Sequence, residues 1–166
     1  MSDSKPTNPK DAAATSRLDL SLFPATATAY GALAMAEGDL KYGGYNYREV
    51  GVMASIYYAA AHRHLDRWFN GEDDDPKTGV PHLASALASI AVLIDGIEMG
   101  NWTDNRPPRC DVARLLSVFE GKVAHLRKLF PRRAERYTHK ALGEDCADCA
   151  VRTSADDLLS TVGGTD

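Results

Sequence analysis

Between residues 50 and 70 the apolar side chains recur at three- and four-residue intervals. Tyr57, Ala61, Leu65 and Trp68 share one stripe, and His64 falls on it. That period is the signature of an amphipathic helix. A run of Ala, Leu and Met in "AYGALAMAEGDLKYG" predicts an earlier helix, capped by Thr26 or Thr28 and stopped by Gly43-Gly44. The segment 81–99 contains "ASALASIAVLI" and is apolar almost all round, which places it at the centre of a bundle. Asp111 then opens "VARLLSVFEGKVAHLRKLF", an amphipathic helix that Pro131 ends. No segment alternates with period two for long enough to make a sheet. The pattern predicts an all-α fold, a bundle of about four main helices.

The connections read differently from the helices. "GGYNYRE" (43–49) is expected to be a structured loop rich in aromatic groups, and "NGEDDDPKTGVP" breaks the helix before it with Gly, Asp and Pro. Residues 1–16 form a polar lead-in, 17–130 the helical domain, and 131–166 a basic and then small, polar tail.

Composition narrows the function classes. The chain has 166 residues, 44% hydrophobic and 25% charged, with a formal net charge of -4. This is ordinary for a globular protein and gives no support to coating a nucleic-acid polymer or a membrane surface. No apolar run approaches the roughly 18 residues of a membrane span, and no signal-peptide core is present. Three cysteines are an odd number, which fits a reducing cytoplasm better than a disulfide framework. Cys146 and Cys149 have the spacing of half a zinc site, without a second pair.

Candidate chemistry gathers around the acidic loop. Glu72, Asp73, Asp74 and Asp75 stand together at a helix C-terminus, where the helix dipole disfavours negative charge. Oxygen ligands of this kind suit Mg²⁺ or Mn²⁺. Read alone, the run is a solvated loop. His64 and His82 change the balance, because His82 starts the next helix just after Pro81 and His64 lies one turn before Trp68. Glu72, Asp75, His82 and His64 are therefore expected to converge at one end of two antiparallel helices. His62 lies off the stripe and pairs at helical spacing with Tyr58 and Asp66. Lys41 and Arg48 are candidate phosphate contacts, Asn46 a candidate base contact, and Tyr42, Tyr45 and Tyr47 offer stacking faces. No Walker loop, Rossmann glycine pattern or nucleophile elbow occurs.

Taken in order, Lys41-Tyr42-Gly43, Asn46-Tyr47, Tyr57-Tyr58, Arg63-His64-Leu65, Trp68, Gly71-Glu72-Asp73-Asp74-Asp75-Pro76, Thr78-Gly79 and Pro81-His82-Leu83 resemble the phage dATP/dGTP diphosphohydrolases. These are relatives of the MazG-type all-α nucleotide pyrophosphohydrolases. The resemblance spans about residues 17–95. It implies hydrolysis of a purine deoxynucleoside triphosphate to the monophosphate and diphosphate with Mg²⁺ or Mn²⁺, in a homo-oligomer in the cytoplasm of an infected host cell. Relatives that cleave dGTP supply the monophosphate for 2-aminoadenine nucleotides.

On this reading Glu72, Asp75 and His82 are catalytic, and Glu37, Glu72, Asp73, Asp75 and His82 hold metal. Lys41, Tyr42, Asn46, Tyr47, Arg48 and His64 bind substrate. Two departures from the pattern stand out: Ser85 replaces a second histidine, and in the apolar helix Asp95 stands near the far end. The competing expectation is a non-catalytic nucleotide-binding or interaction module on the same scaffold, with a solvated acidic loop.

Overall fold

The computed structural model describes residues 17–132 together with 134 and 138. The lead-in, Cys146, Cys149 and nearly all of the expected tail lie outside the described residues. The chain divides into two units, Met1–Asn105 and Arg106–Asp166.

In the first unit a short 3-10 turn (Leu20–Leu22) leads into α1 (Ala25–Tyr42), followed by α2 (Asn46–Val50), α3 (Ala54–Phe69) and α4 (His82–Glu98). In the second, α5 runs over Val112–Leu129. The four long helices confirm the all-α expectation. α4 lies against both α1 and α3, the central place that its apolar sequence predicted. Small residues make those approaches close. Ala84 and Ala86 are buried in α4, Ala34 in α1 and Ala61 in α3, so the backbones meet without bulky side chains between them. One core cluster joins Ala34, Val80 and Ala84. A second joins Tyr47, Val52 and Val92, with Met35, Tyr57, Leu93 and Trp102 packed around it.

Several local features differ from expectation. Neither Thr26 nor Thr28 caps α1. The helix begins at Ala25 after Pro24, and the Thr28 hydroxyl lies inside it, directed back at the Pro24 carbonyl. The "NYRE" stretch is helical rather than loop, entered through Tyr45 in the left-handed region at φ 58°.

A small sheet is also present. β1 (Val52–Met53) and β2 (Trp102–Thr103) pair in parallel, Val52 with Trp102 and Met53 with Thr103. Two asparagines secure it. Asn101 donates from Nδ2 to the Arg48 carbonyl at 2.8 Å, and Asn105 accepts from the Ser55 N–H at 2.9 Å, capping the first turn of α3. Gly96 allows the close pass: a Cβ there would sit 2.5 Å from Val52 Cγ2.

α5 is capped as predicted, with Asp111 Oδ1 accepting from the Arg114 N–H at 2.9 Å.

Candidate functional site

The loop after α3 is shaped by its backbone. α3 ends in a Schellman arrangement: Gly71 takes φ 98°, its N–H donates to the Trp68 carbonyl, and the Glu72 N–H donates to the Arg67 carbonyl. The chain then folds back on itself. The Asp75 N–H donates to the Val80 carbonyl at 3.0 Å, the His82 N–H to the Asp73 carbonyl at 2.9 Å, and the Gly79 N–H to the Asp75 carbonyl at 2.8 Å. Gly79 makes this turn at φ 69°, a conformation that a side chain would strain. The acidic run is therefore a tied turn that delivers His82 to the start of α4.

Asp75 is the anchor of that turn. Its Oδ1 accepts from the backbone N–H groups of Lys77 and Thr78, at 3.0 and 3.1 Å. These bonds, the one from Lys77 foremost, hold its carboxyl below the usual carboxylate range, and Arg67 adds to the effect. Arg67 reaches two carboxylates, with Nε 2.9 Å from Glu72 Oε2 and Nη1 3.4 Å from Asp75 Oδ2. The charge that looked unbalanced in the sequence is met by this guanidinium one turn upstream. Glu37 is engaged in the same way by Lys41, at 2.7 Å.

The histidines meet as expected. His64 Nδ1 lies 2.9 Å from His82 Nδ1. His82 is completely buried, and its Nε2 faces Glu72 Oε1 at 3.5 Å, which is ion-pair distance but too long for a hydrogen bond, so that nitrogen has no hydrogen-bond partner. The carboxylate favours the His82 proton on Nε2. Its Nδ1 then accepts from His64 Nδ1–H, leaving His64 Nε2 with a free lone pair. Burial, followed by the neighbouring His82 and Arg67, pushes the His64 pKa below the ordinary histidine value. Its neutral form is thereby favoured.

His64 lines a cavity of about 950 Å³ in the first unit, within the range of small-molecule sites. Of the residues singled out in the sequence, Glu37, Lys41, Tyr42, Asn46, Tyr47 and Asp75 also line it. Glu72, Asp73, Arg48 and His82 do not. His82 stands behind His64. Arg48 is committed elsewhere, its Nε and Nη2 each 2.8 Å from an oxygen of Asp95, with the guanidinium over the Tyr45 ring. That bidentate pair fastens α2 to α4 through Asp95. Ser85 lines the cavity as well.

The expected five-residue metal cage is not gathered at one point. Among the described residues no group of three or more His, Cys, Asp or Glu side chains stands close enough to hold an ion. Sequence reasoning missed two residues, Arg67 and Lys77. Lys77 lines the same cavity as Lys41, and its place two residues after Asp75 in the tied turn was the available signal.

The described helices include none long and apolar enough to cross a membrane. Searches of curated proteins and of solved structures returned no match. The family model described as "dATP/dGTP diphosphohydrolase, N-terminal" matches residues 7–106, a stretch that contains the whole cavity wall. The chain therefore belongs to the dATP/dGTP diphosphohydrolase family, a family of nucleoside triphosphate diphosphohydrolases.

Proposed function

We propose that the cavity binds a purine deoxynucleoside triphosphate, dGTP or dATP, together with Mg²⁺ or Mn²⁺. The chain hydrolyses it there to the monophosphate and diphosphate. The observation that carries this reading is the composition of the cavity lining: Lys41 and Lys77 supply ammonium groups for phosphate oxygens, with the carboxylates of Glu37 and Asp75 and the imidazole of His64. The aromatic side chains of Tyr42, Tyr45 and Tyr47 line the same cavity with Asn46. These give stacking faces and an amide able to pair with a base edge.

A closed metal cage does not fit the side chains present. A shared site does, because Mg²⁺ is commonly held by one or two carboxylates plus substrate phosphates. Glu37 and Asp75, the two carboxylates proposed for it, both line the cavity and would each exchange part of their present pairing with Lys41 or Arg67. The metal would supply charge neutralisation on the phosphates and a more acidic water.

The protein's own contribution to the chemistry is the imidazole chain. With its Nδ1 proton directed at His82, His64 holds Nε2 ready to accept the proton of the water that attacks phosphorus in the α–β linkage. The new P–O bond forms as the bond to the diphosphate leaving group breaks. Lys41 and Lys77 offset the charge that leaves with diphosphate. In a phage setting the monophosphate product would feed synthesis of modified purine nucleotides such as 2-aminoadenine.

Calorimetric titration with a non-hydrolysable purine deoxynucleoside triphosphate tests the placement of the phosphates. Lys41→Ala and Lys77→Ala are each expected to weaken binding at least about tenfold, the scale of a charge-assisted contact. Unchanged affinity in both would remove the phosphates from this lining.

A further inference from the structure

Three local preferences are set aside together at Tyr45. Its backbone takes φ 58° and ψ 16°, a left-handed conformation that crowds a Cβ and that glycine or asparagine fills more readily. Among the described residues, glycines apart, Tyr45 alone has a positive φ. It is the residue that opens α2, where Ser, Thr, Asp, Asn or Gly is favoured, yet its side chain makes no capping hydrogen bond. A tyrosine ring normally adds its large apolar area to a core, yet this residue is 68% exposed. Turn, cap and core all gain little from a tyrosine here. Such a conflict persists where the side chain serves a ligand rather than the fold.

The ring is nonetheless fixed. The Arg48 guanidinium lies over it, 5.2 Å from the centroid, and both oxygens of Asp95 hold that guanidinium at 2.8 Å. The Tyr47 ring stands 6.4 Å away, tilted by 48°, and Tyr47 belongs to the second core cluster. Placed in this way, Tyr45 lines the cavity. Tyr42, Tyr47 and Tyr57 line it too, but Tyr47 and Tyr57 pack in that core cluster, and Tyr42 closes α1 in ordinary helical backbone. We propose that Tyr45 is the platform on which the purine base stacks and that this contact sets the preference for purine over pyrimidine nucleotides. The role rests on the reading of the cavity as a nucleotide site. The two fused rings of a purine overlap the phenol more fully than a single pyrimidine ring does, so they gain more from it. Arg48 and Asp95 act through Tyr45 as positioning residues, since they fix its ring.

Calorimetric titration of the full chain, in Mg²⁺, with three probes tests this. The probes are a non-hydrolysable purine deoxynucleoside triphosphate, its pyrimidine counterpart and inorganic tripolyphosphate. Tyr45→Asn suits both the left-handed turn and the cap, so it should melt at or above the wild-type Tm. It should nevertheless bind the purine analogue about tenfold more weakly, the scale of one base–aromatic stack. The pyrimidine analogue should lose less and tripolyphosphate nothing, so the purine preference shrinks. Tyr45→Phe keeps the ring and should bind all three probes as wild type does. Arg48→Gln and Asp95→Asn should each weaken the purine analogue about two- to fivefold, the scale of a cation–π contact, and leave tripolyphosphate unchanged. Unchanged purine affinity in Tyr45→Asn overturns the proposal. So does an equal loss of tripolyphosphate, the result expected if the residue only shapes the chain near Lys41. A wild-type chain that binds neither nucleotide nor tripolyphosphate would remove the nucleotide reading, and this role with it.

Discussion

Replacing His82 by phenylalanine separates what the histidine pair does for stability from what it does for chemistry. The ring is completely buried, and phenylalanine exceeds it by one ring atom, an overpacking of about 1 kcal/mol. The substitution deletes the 2.9 Å contact to His64, which costs about 1 kcal/mol as a net hydrogen bond. It also removes a buried nitrogen that has no hydrogen-bond partner, which returns a comparable or larger amount, roughly 1–3 kcal/mol. The three nearly cancel, so folding stability should stay within about 2 kcal/mol of wild type, a shift of several degrees in Tm. Activity should respond quite differently. Without His82 nothing holds the Nδ1 proton of His64 in place, and Nε2 is no longer reserved as the acceptor. The loss expected for a displaced general base is about 100-fold or more in kcat, with KM little changed because the phosphate contacts remain. Diphosphate release at saturating nucleotide, beside a thermal melt, gives both numbers, and His64→Gln should reproduce the same kcat. A variant that melts near wild type and keeps kcat within a few-fold would show that the pair only packs.

The pKa of His64 lies below its ordinary value of 6.5 because of burial and then the nearby His82, so the folded state binds fewer protons than the unfolded state below that pH. Its contribution is complete above about pH 6.5 and is lost as pH falls through the folded value. Tm measured from pH 8 to 5 should therefore fall more for wild type than for His64→Gln, and parallel curves would contradict the assignment. Gly96→Ala should be destabilising by up to about 2 kcal/mol, since overpacking against Val52 outweighs the gain in helix propensity of about 1 kcal/mol. In a Val52→Ala background the same change should become stabilising in urea titrations, and a cost that persists there would refute the clash. Arg48→Gln and Asp95→Asn should have the same modest effect on stability, about 1 kcal/mol or less, with the double variant no worse than either. An increase in KM for nucleotide confined to Arg48→Gln would return that arginine to the phosphates.

The periodic parts of the chain were readable because period and burial are local properties. The stripe of α3, the all-round apolar α4 and the Asp111 cap each follow from residues within a few positions of one another. The β1–β2 pair was not readable. It joins Val52 to Trp102 through two residues on each side, too short for alternation to register, and Asn101 and Gly96 act on it from far along the sequence. Of the residues that line the cavity, His64, Lys41, Asp75 and the tyrosines already stand out in the sequence. What the order of charges could not reveal was which cation folds over which carboxylate. Nothing in the order of residues singles out Arg67, and only the Schellman turn after Phe69 brings it onto Glu72 and Asp75. The same holds for Arg48, whose destination on Asp95 depends on α2 lying against α4.

The central claim is that one cavity, walled by Lys41, Lys77, Asp75 and His64, hydrolyses purine deoxynucleoside triphosphates. Diphosphate release from a panel of deoxynucleoside and ribonucleoside triphosphates, with Mg²⁺ or Mn²⁺ and with the His64→Gln variant alongside, addresses it most directly. The account predicts release from dGTP or dATP well above the pyrimidine nucleotides, reduced about 100-fold by the substitution. Release from no nucleotide by folded protein with metal present would contradict it, as would release that His64→Gln leaves unchanged.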